Sequence, residues 1–498
     1  MNTEIKPLPE VTEFLAQKPV KMFIDGSWEA ASDGSIFSVV NPGTGEGIAE
    51  LAAANEVDIN KAVAAAREAF DHGEWPKFTV KERADYLYKL ADLVEENAEI
   101  FAQLESLDVG KPVTAARSGD VPNVPMTIRY YCDVALNGTY SEPIKVDEYE
   151  ARQIRKPRGV AAFLIPWNYP FLNVGWNLAA PLLGGNTTVM KPSRDGSLTS
   201  LYFCKLVEQI GFPKGVINMV AGFGQTAGAA LANHPGINKM AFTGSTETGR
   251  DIAVACGKNI VPVVLELGGK GAAVVFDDVN VEDVVDKLIP VITLNTGQVC
   301  CTASRWIVHE SIWDEFIALA KEGLSKIKVG YGMVESTDMG PVVSKKQMDI
   351  VLGLVEKGIA EGAEPILPGG AVEVDGYPGG FYIKPALLAG PADNICAQEE
   401  IFGPVAFCIK FKTEEDALNI VHSSDYGLAN SVWSKDLDRA NRFAEAMDAG
   451  NSWINGHNIF PCGIPYGGCK LSGMGGSLNS PATFYGFLRT QSIVRALD

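Results

Sequence analysis

Hydrophobic and polar positions along the chain follow two rhythms: short apolar runs closed by glycine or proline, and apolar residues spaced three and four apart. Between residues 79 and 97, Ala84, Leu87, Leu90, Ala91 and Val94 keep the second spacing, which predicts an amphipathic helix. Gly159-Val160-Ala161-Ala162-Phe163-Leu164-Ile165 is a continuous apolar run stopped by Pro166, as a buried strand would be. Thr187-Thr188-Val189-Met190, Val216–Val220 and Lys239–Thr243 predict three more strands, the last closing at Gly244. A helix is expected over Leu201–Ile210 and a turn at Gly222-Phe223-Gly224. Strands interleaved with helices predict an α/β protein with parallel sheet. The uncharged stretch Gly159–Met190 exceeds membrane-spanning length, yet Pro166, Pro170 and Pro181 with Asn168, Asn173, Asn177 and Asn186 would leave polar groups unsatisfied in lipid. A buried strand, loop and helix is the better reading.

The chain has 498 residues, too many for one ordinary core, so two or three domains are expected. Its net charge of −19 argues against nucleic-acid or membrane partners and requires a local cationic patch for any anionic cofactor. The first residues resemble neither a signal nor a transit peptide, so a cytoplasmic location is expected. Nine cysteines without a C-x-x-C pair suggest a reducing compartment, and five dispersed histidines give a metal site little to build on.

Two segments carry candidate chemistry. Leu265-Glu266-Leu267-Gly268-Gly269-Lys270 sets a carboxylate between leucines, a setting that raises its pKa toward proton abstraction near neutrality. Asn295-Thr296-Gly297-Gln298-Val299-Cys300 sets a thiol beside a glycine, where substrate and backbone can approach a thiolate nucleophile. Taken alone, each is more often a packing thiol or a paired core carboxylate. In Pro166-Trp167-Asn168-Tyr169-Pro170 the Asn168 amide could face an oxyanion or cap a turn. Phe242-Thr243-Gly244-Ser245-Thr246-Glu247-Thr248-Gly249-Arg250 reads as a glycine turn opening a helix, a phosphate site by geometry but not a Walker A loop. Gly222-Phe223-Gly224-Gln225-Thr226-Ala227 fits only a loose dinucleotide fingerprint and reads better as a plain strand-to-helix turn.

From about Phe23 to about Thr490 the chain resembles the aldehyde dehydrogenase superfamily, with these motifs in the family's order and Glu399-Glu400-Ile401-Phe402-Gly403-Pro404 as a further match. The resemblance implies a Rossmann-like cofactor domain (1–137 and 159–269), an α/β catalytic domain (270–477) and a small β bridging or oligomerisation element (138–158 and 478–498). It implies Cys300 as nucleophile, Glu266 as general base, and Asn168 with the Cys300 amide as oxyanion hole. Oxidation of an aldehyde to the acid with NAD(P)+ would then pass through a cysteine thiohemiacetal and thioester.

For the cofactor the resemblance implies Ile165, Trp167, Lys191, Ser193, Gly224, Gly244, Ser245, Glu400 and Phe402. Arg194 stands where NAD-preferring members often carry a Glu at the adenosine ribose, which favours NADP over NAD. Asp195 could neutralise it. Tyr169, Trp176, Phe460 and Tyr466 should approach the aldehyde, either caging a cation or stacking on an aryl group. Leu294, where cage-forming members usually have an aromatic, weakens the cationic option. Trp453-Ile454-Asn455-Gly456-His457-Asn458 is similar to arylacetaldehyde and aminoaldehyde members, whereas Ser472–Ser477 lacks their usual Arg-Glu. Two alternatives stay open: a CoA-acylating semialdehyde dehydrogenase, whose relatives tend to lack a carboxylate at 266, and a non-catalytic protein retaining the fold. A homodimer or homotetramer without nucleic-acid, membrane or metal partners is expected.

Overall fold

The computed structural model describes residues 4–497, and two sheets with parallel centres organise them. From edge to edge the first sheet runs Ser27–Glu29, Met22–Ile24, Ile217–Met219, Thr187–Pro192, Val160–Ile165, Lys239–Thr243, Val263–Glu266 and Gly473–Met474. Its central strands are parallel and the outer ones antiparallel. After Val160–Ile165 the chain steps outward through Thr187–Pro192 to Ile217–Met219, then returns to lay Lys239–Thr243 on the other side. That reversal is a topological switch point, so the loops after residues 165 and 243 enclose a crevice at the strands' carboxyl ends.

The second sheet runs Glu364–Leu367, Ala386–Ala389, Val405–Phe411, Ala303–His309, Gly271–Val275, Ala429–Trp433 and Asn451–Ile454, all parallel beyond its first pair. Only Leu267–Lys270 separates the end of Val263–Glu266 from the start of Gly271–Val275. Carboxyl ends of the first sheet therefore face amino ends of the second, and Glu266 and Cys300 both lie at that seam.

Local chemistry explains the elements. Thr79 and Glu82 close a capping box on the helix Val80–Glu96, whose Ala84, Leu87, Leu90, Ala91 and Val94 are fully buried, as their spacing predicts. Each buried leucine contributes roughly 1.5–3 kcal/mol. The uncharged stretch folds as Val160–Ile165, the helix Pro170–Leu183 and Thr187–Pro192. Its asparagines find partners inside: Asn173 Nδ2 donates to Tyr169, Asn177 Nδ2 to Asn173, and Asn186 Nδ2 to Pro181, all to backbone oxygens. Among the described residues no helix is long and apolar enough to cross a membrane.

Two expectations need correction. The helix expected at Leu201 starts at Leu198, because Asp108 from a distant helix accepts the Leu198 N–H at 2.7 Å and caps the end from outside. In place of the turn expected over Gly222–Gly224, Phe223 is extended and leads into a π-helical turn over Gly224–Gly228. The β segments flagged for assembly, Ser141–Val146, Tyr149–Pro157 and Leu488–Ala496, pair with one another within the chain, in an antiparallel sheet with exposed Ile144, Val146, Tyr149 and Val494.

Candidate active site

A strained turn delivers Cys300. Asn295, Thr296 and Gly297 take successive φ values of 48°, 57° and 71°, a left-handed run in which a β-branched residue is a true outlier. Side chains hold it: Thr296 Oγ1 donates to the Gly340 oxygen at 3.0 Å, Asn295 Nδ2 to the Asn168 oxygen at 2.8 Å, and Gln298 Nε2 to the Asn295 oxygen at 2.9 Å. Only glycine fits at 297, where a Cβ would lie 2.1 Å from the Gly403 oxygen. Gly269 is equally constrained, since its Cβ would lie 2.2 Å from the Cys300 oxygen. Three motifs distant in sequence thus lock together through backbone contacts.

The part-buried Cys300 thiol meets the Tyr466 hydroxyl at 3.2 Å. Its pKa is drawn down to about 7 by hydrogen bonding with Cys301, then, against burial, by Tyr466 and the 300 and 301 amides. Glu266 is 3% exposed, and among the described residues neither carboxyl oxygen has a hydrogen-bond partner. Burial first, and the Cys300 charge second, hold its pKa well above the usual carboxylate range. Asn168 Nδ2 donates to the Gln298 oxygen at 3.1 Å, which engages one of its two hydrogens and leaves the other for a ligand.

The cofactor candidates gather around the crevice. Ser245 caps the helix Thr246–Lys258 by accepting from the Thr248 amide, so the Thr246 and Glu247 amides stay available to an anion. The Gly244 amide donates to the Glu266 backbone oxygen at 3.0 Å, which shapes the turn before the helix. Buried Lys191 donates to the Pro192 oxygen at 2.7 Å, and burial lowers its pKa to about 8. Its stem faces Gly228, which brings it beside the Gly224–Gly228 turn. The Ser193 amide closes back on the Ile165 oxygen at 2.8 Å. Glu400 accepts the Gly269 amide at 2.8 Å, although burial raises its carboxyl to about 8. The Trp167 and Phe402 rings meet edge to face with centroids 5.2 Å apart. Arg194 is turned onto Asp195, with Nε and Nη2 at 2.9 and 2.8 Å from one carboxylate oxygen, at the mouth of a cavity of about 340 Å³ shared with Asp108 and Lys345.

Trp176, Phe460 and Tyr466 form one aromatic wall, with centroids 5.3 to 6.4 Å apart, and Trp453 extends it. Tyr169 joins the same cluster. The Lys111 ammonium sits 3.9 Å from the centre of its ring, paired at depth with Asp120 and lying 3.6 Å from Glu105. Sequence reasoning had no signal for this triad, because three scattered charges carry no motif. His457 and Asn458, quoted in a family-like segment but given no role, also gather here: His457 Nε2 lies 2.7 Å from the Cys301 oxygen, and the Cys301 thiol donates to Asn458 Oδ1 at 3.3 Å. Burial holds His457 near pKa 4, hence neutral, so Nε2–H is the donor to that carbonyl.

The geometry is that of a thiol, a buried carboxylate and an amide donor beside the crevice at the carboxyl ends of the first sheet. The aldehyde dehydrogenase family model matches residues 28–493, and the chain belongs to that family of NAD(P)-dependent oxidoreductases acting on aldehydes. Human retinal dehydrogenase 2 is 40% identical over 472 residues, covering 94% of this chain and 90% of the relative. The NAD+ complex of aldehyde dehydrogenase from Bacillus cereus matches over all of both chains at 38% identity and a TM-score of 0.96. Betaine aldehyde dehydrogenase from Staphylococcus aureus, also solved with NAD+, matches 98% of this chain and 97% of its own at 32% identity and a TM-score of 0.95.

Proposed function

We propose that this aldehyde dehydrogenase is hydrolytic, with Cys300 as nucleophile, Glu266 as general base and Asn168 with the Cys300 amide as oxyanion hole. The observation that carries this reading is the pairing at one seam of a thiol of lowered pKa with a buried carboxylate lacking any hydrogen-bond partner. Cys300 thiolate adds to the carbonyl carbon, the π electrons move to oxygen, and Asn168 stabilises that oxyanion. The crevice residues fit a dinucleotide: open amides at the start of Thr246–Lys258, the Lys191 cation, and the Glu400 carboxylate suited to ribose hydroxyls. When bound there, NAD(P)+ supplies the hydride acceptor that turns the thiohemiacetal into a thioester.

Glu266 then serves as base at the right moment for an electrostatic reason. While Cys300 is thiolate, its charge adds to the burial that keeps Glu266 protonated. Acylation discharges the sulfur, so the carboxyl ionises more readily and can take a proton from water. Attack of that water on the thioester releases the acid and restores the thiol. A carboxylate at this place supports hydrolysis over transfer to CoA.

The tunnel suits a neutral aryl or alkyl aldehyde. Lys111 already occupies a face of Tyr169, so a second cation stacked on that ring would meet repulsion. For the cofactor, Asp195 engages two of the five guanidinium N–H groups of Arg194 and leaves three for a 2′-phosphate, which supports efficient use of NADP+ beside NAD+. Residues 1–137 and 159–269 form the cofactor domain, 270–477 the catalytic domain, and 138–158 with 478–498 the element through which a homodimer or homotetramer assembles. Nine free cysteines fit a cytoplasmic setting. A panel of neutral and quaternary-ammonium aldehydes, read by reduced-cofactor absorbance with and without CoA, tests the reading. Turnover of neutral aldehydes without CoA is expected; strict dependence on CoA would overturn it.

A further inference from the structure

We infer that Tyr466 is a further catalytic residue, whose phenol hydroxyl donates a hydrogen bond to the attacking Cys300 thiolate. This deepens the proposed mechanism and rests on Cys300 being the nucleophile.

Four observations carry it. The Tyr466 oxygen lies 3.2 Å from Cys300 Sγ, with Cys301 as a second thiol in its reach. Its ring is 6% exposed and is fixed by Trp176 at 5.7 Å and Phe460 at 5.3 Å, so the hydroxyl is aimed by packing and not by solvent. The backbone pins it as well, through paired hydrogen bonds between Tyr466 and Leu478 at 3.0 and 2.7 Å. A second donor acts beside it: the Cys301 thiol contributes the larger part of the lowering at Cys300, but it also reaches Asn458 Oδ1 at 3.3 Å, so the packed phenol is the donor held on sulfur.

Between a neutral thiol and a phenol either atom can donate. Once sulfur is ionised only the phenol can, and a hydrogen bond to a charged acceptor is about twice as strong as a neutral one. Burial, followed by the charges of Cys300, Cys301 and Glu266, keeps the Tyr466 phenol protonated well above its ordinary range. It therefore donates without giving up its proton. Other titratable groups facing the sulfur are Cys301, Glu266, Glu400 and Tyr169, all of which are weakened as charged species by the same burial. When sulfur bonds to the carbonyl carbon its charge is lost, and Tyr466 is released from it. The same residue that closes the aldehyde tunnel thus prepares the nucleophile, a role that the spacing of aromatic positions could not reveal.

Alkylation of the full-length enzyme by iodoacetamide, followed across pH and mapped by peptide mass spectrometry, tests this in wild type and Tyr466→Phe. In wild type, labelling at Cys300 should titrate near 7. In Tyr466→Phe the midpoint should rise by roughly one to two pH units, the range for losing a hydrogen bond to a charged group. A more basic thiolate is also more nucleophilic, so the alkaline plateau should rise about threefold per unit while the acid limb falls by about the same factor, and the two profiles cross. A merely structural role would lower the rate at every pH without moving the midpoint. Labelling at Cys300 with an unmoved midpoint in Tyr466→Phe overturns the Tyr466 inference alone. Inactivation that maps to another cysteine overturns the nucleophile assignment, and this inference with it.

Discussion

Gly269 runs so close to Cys300 that a Cβ on it would stand 2.2 Å from the Cys300 carbonyl oxygen. The segment carrying the proposed general base is thereby pressed against the backbone of the proposed nucleophile, so Glu266 and Cys300 are set by main-chain contact and not by flexible side chains. Gly269→Ala should push the nucleophile loop away by a fraction of its bond spacing. Since a misplacement near 1 Å can cost about 10²-fold in rate, kcat should fall by that order. Cofactor binding, followed by fluorescence titration, should change little. Wild-type kcat in this variant would mean that the loop can yield without penalty.

The triad beneath Tyr169 leads to a second expectation. Lys111→Met leaves Glu105 and Asp120 buried without their cation, a loss of about 3–5 kcal/mol for a broken buried pair. Urea unfolding of the apoenzyme should report it. The aldehyde KM should rise with it, because the ring that Lys111 steadies forms part of the tunnel. Unchanged stability would show that water reaches the two carboxylates.

The long-range plan was legible because it rests on local patterns. Apolar runs stopped at Pro166 and Gly244 marked strand ends, and the three-and-four spacing of Leu87, Leu90 and Val94 marked a helix. Less legible was whatever depends on a distant partner. The early start at Leu198 needs Asp108, and no window around residue 198 contains it. The left-handed run at Asn295–Gly297 was hidden for a similar reason: Thr296 disfavours it locally, and distant partners hold it, among them the Gly340 and Pro341 oxygens at 3.0 and 3.3 Å from the Thr296 hydroxyl. Glu266, Cys300 and Asn168 could be read through family motifs. The residues packed against the thiol pair, Tyr466, His457 and Asn458, meet it by contacts across 156 to 166 positions of sequence.

The acid limb of kcat/KM should report the free enzyme's thiol. With Cys300 drawn down to about 7, its nucleophilic form is lost as pH falls through that value, so kcat/KM should rise with pH and level off above it. A limb near the ordinary thiol value would show that the site does not stabilise the thiolate. Stopped-flow measurement at low aldehyde concentration would separate the two.

Cofactor choice turns on Arg194 and Asp195. A charge-assisted contact to a 2′-phosphate is worth about 1.5–3 kcal/mol, or roughly one to two decades of affinity. Arg194→Glu should lower kcat/KM for NADP+ by that amount and leave NAD+ nearly unchanged. Asp195→Asn should act the other way, since it frees the guanidinium that Asp195 now engages at 2.8 Å. A wild type with strong NAD+ preference, or a ratio indifferent to Arg194→Glu, would refute this.

The central claim is that a Cys300 thioester forms and waits for Glu266 to activate water. The most direct measurement mixes Glu266→Gln with NAD(P)+ and excess aldehyde, follows reduced cofactor in a stopped flow, and weighs the quenched protein by mass spectrometry. The account predicts a burst of about one reduced cofactor per site, a steady rate lowered by roughly 10²–10⁴-fold, and an acyl mass on the Cys300 peptide. Steady turnover at the wild-type rate, or an acyl group on Cys301, would contradict it.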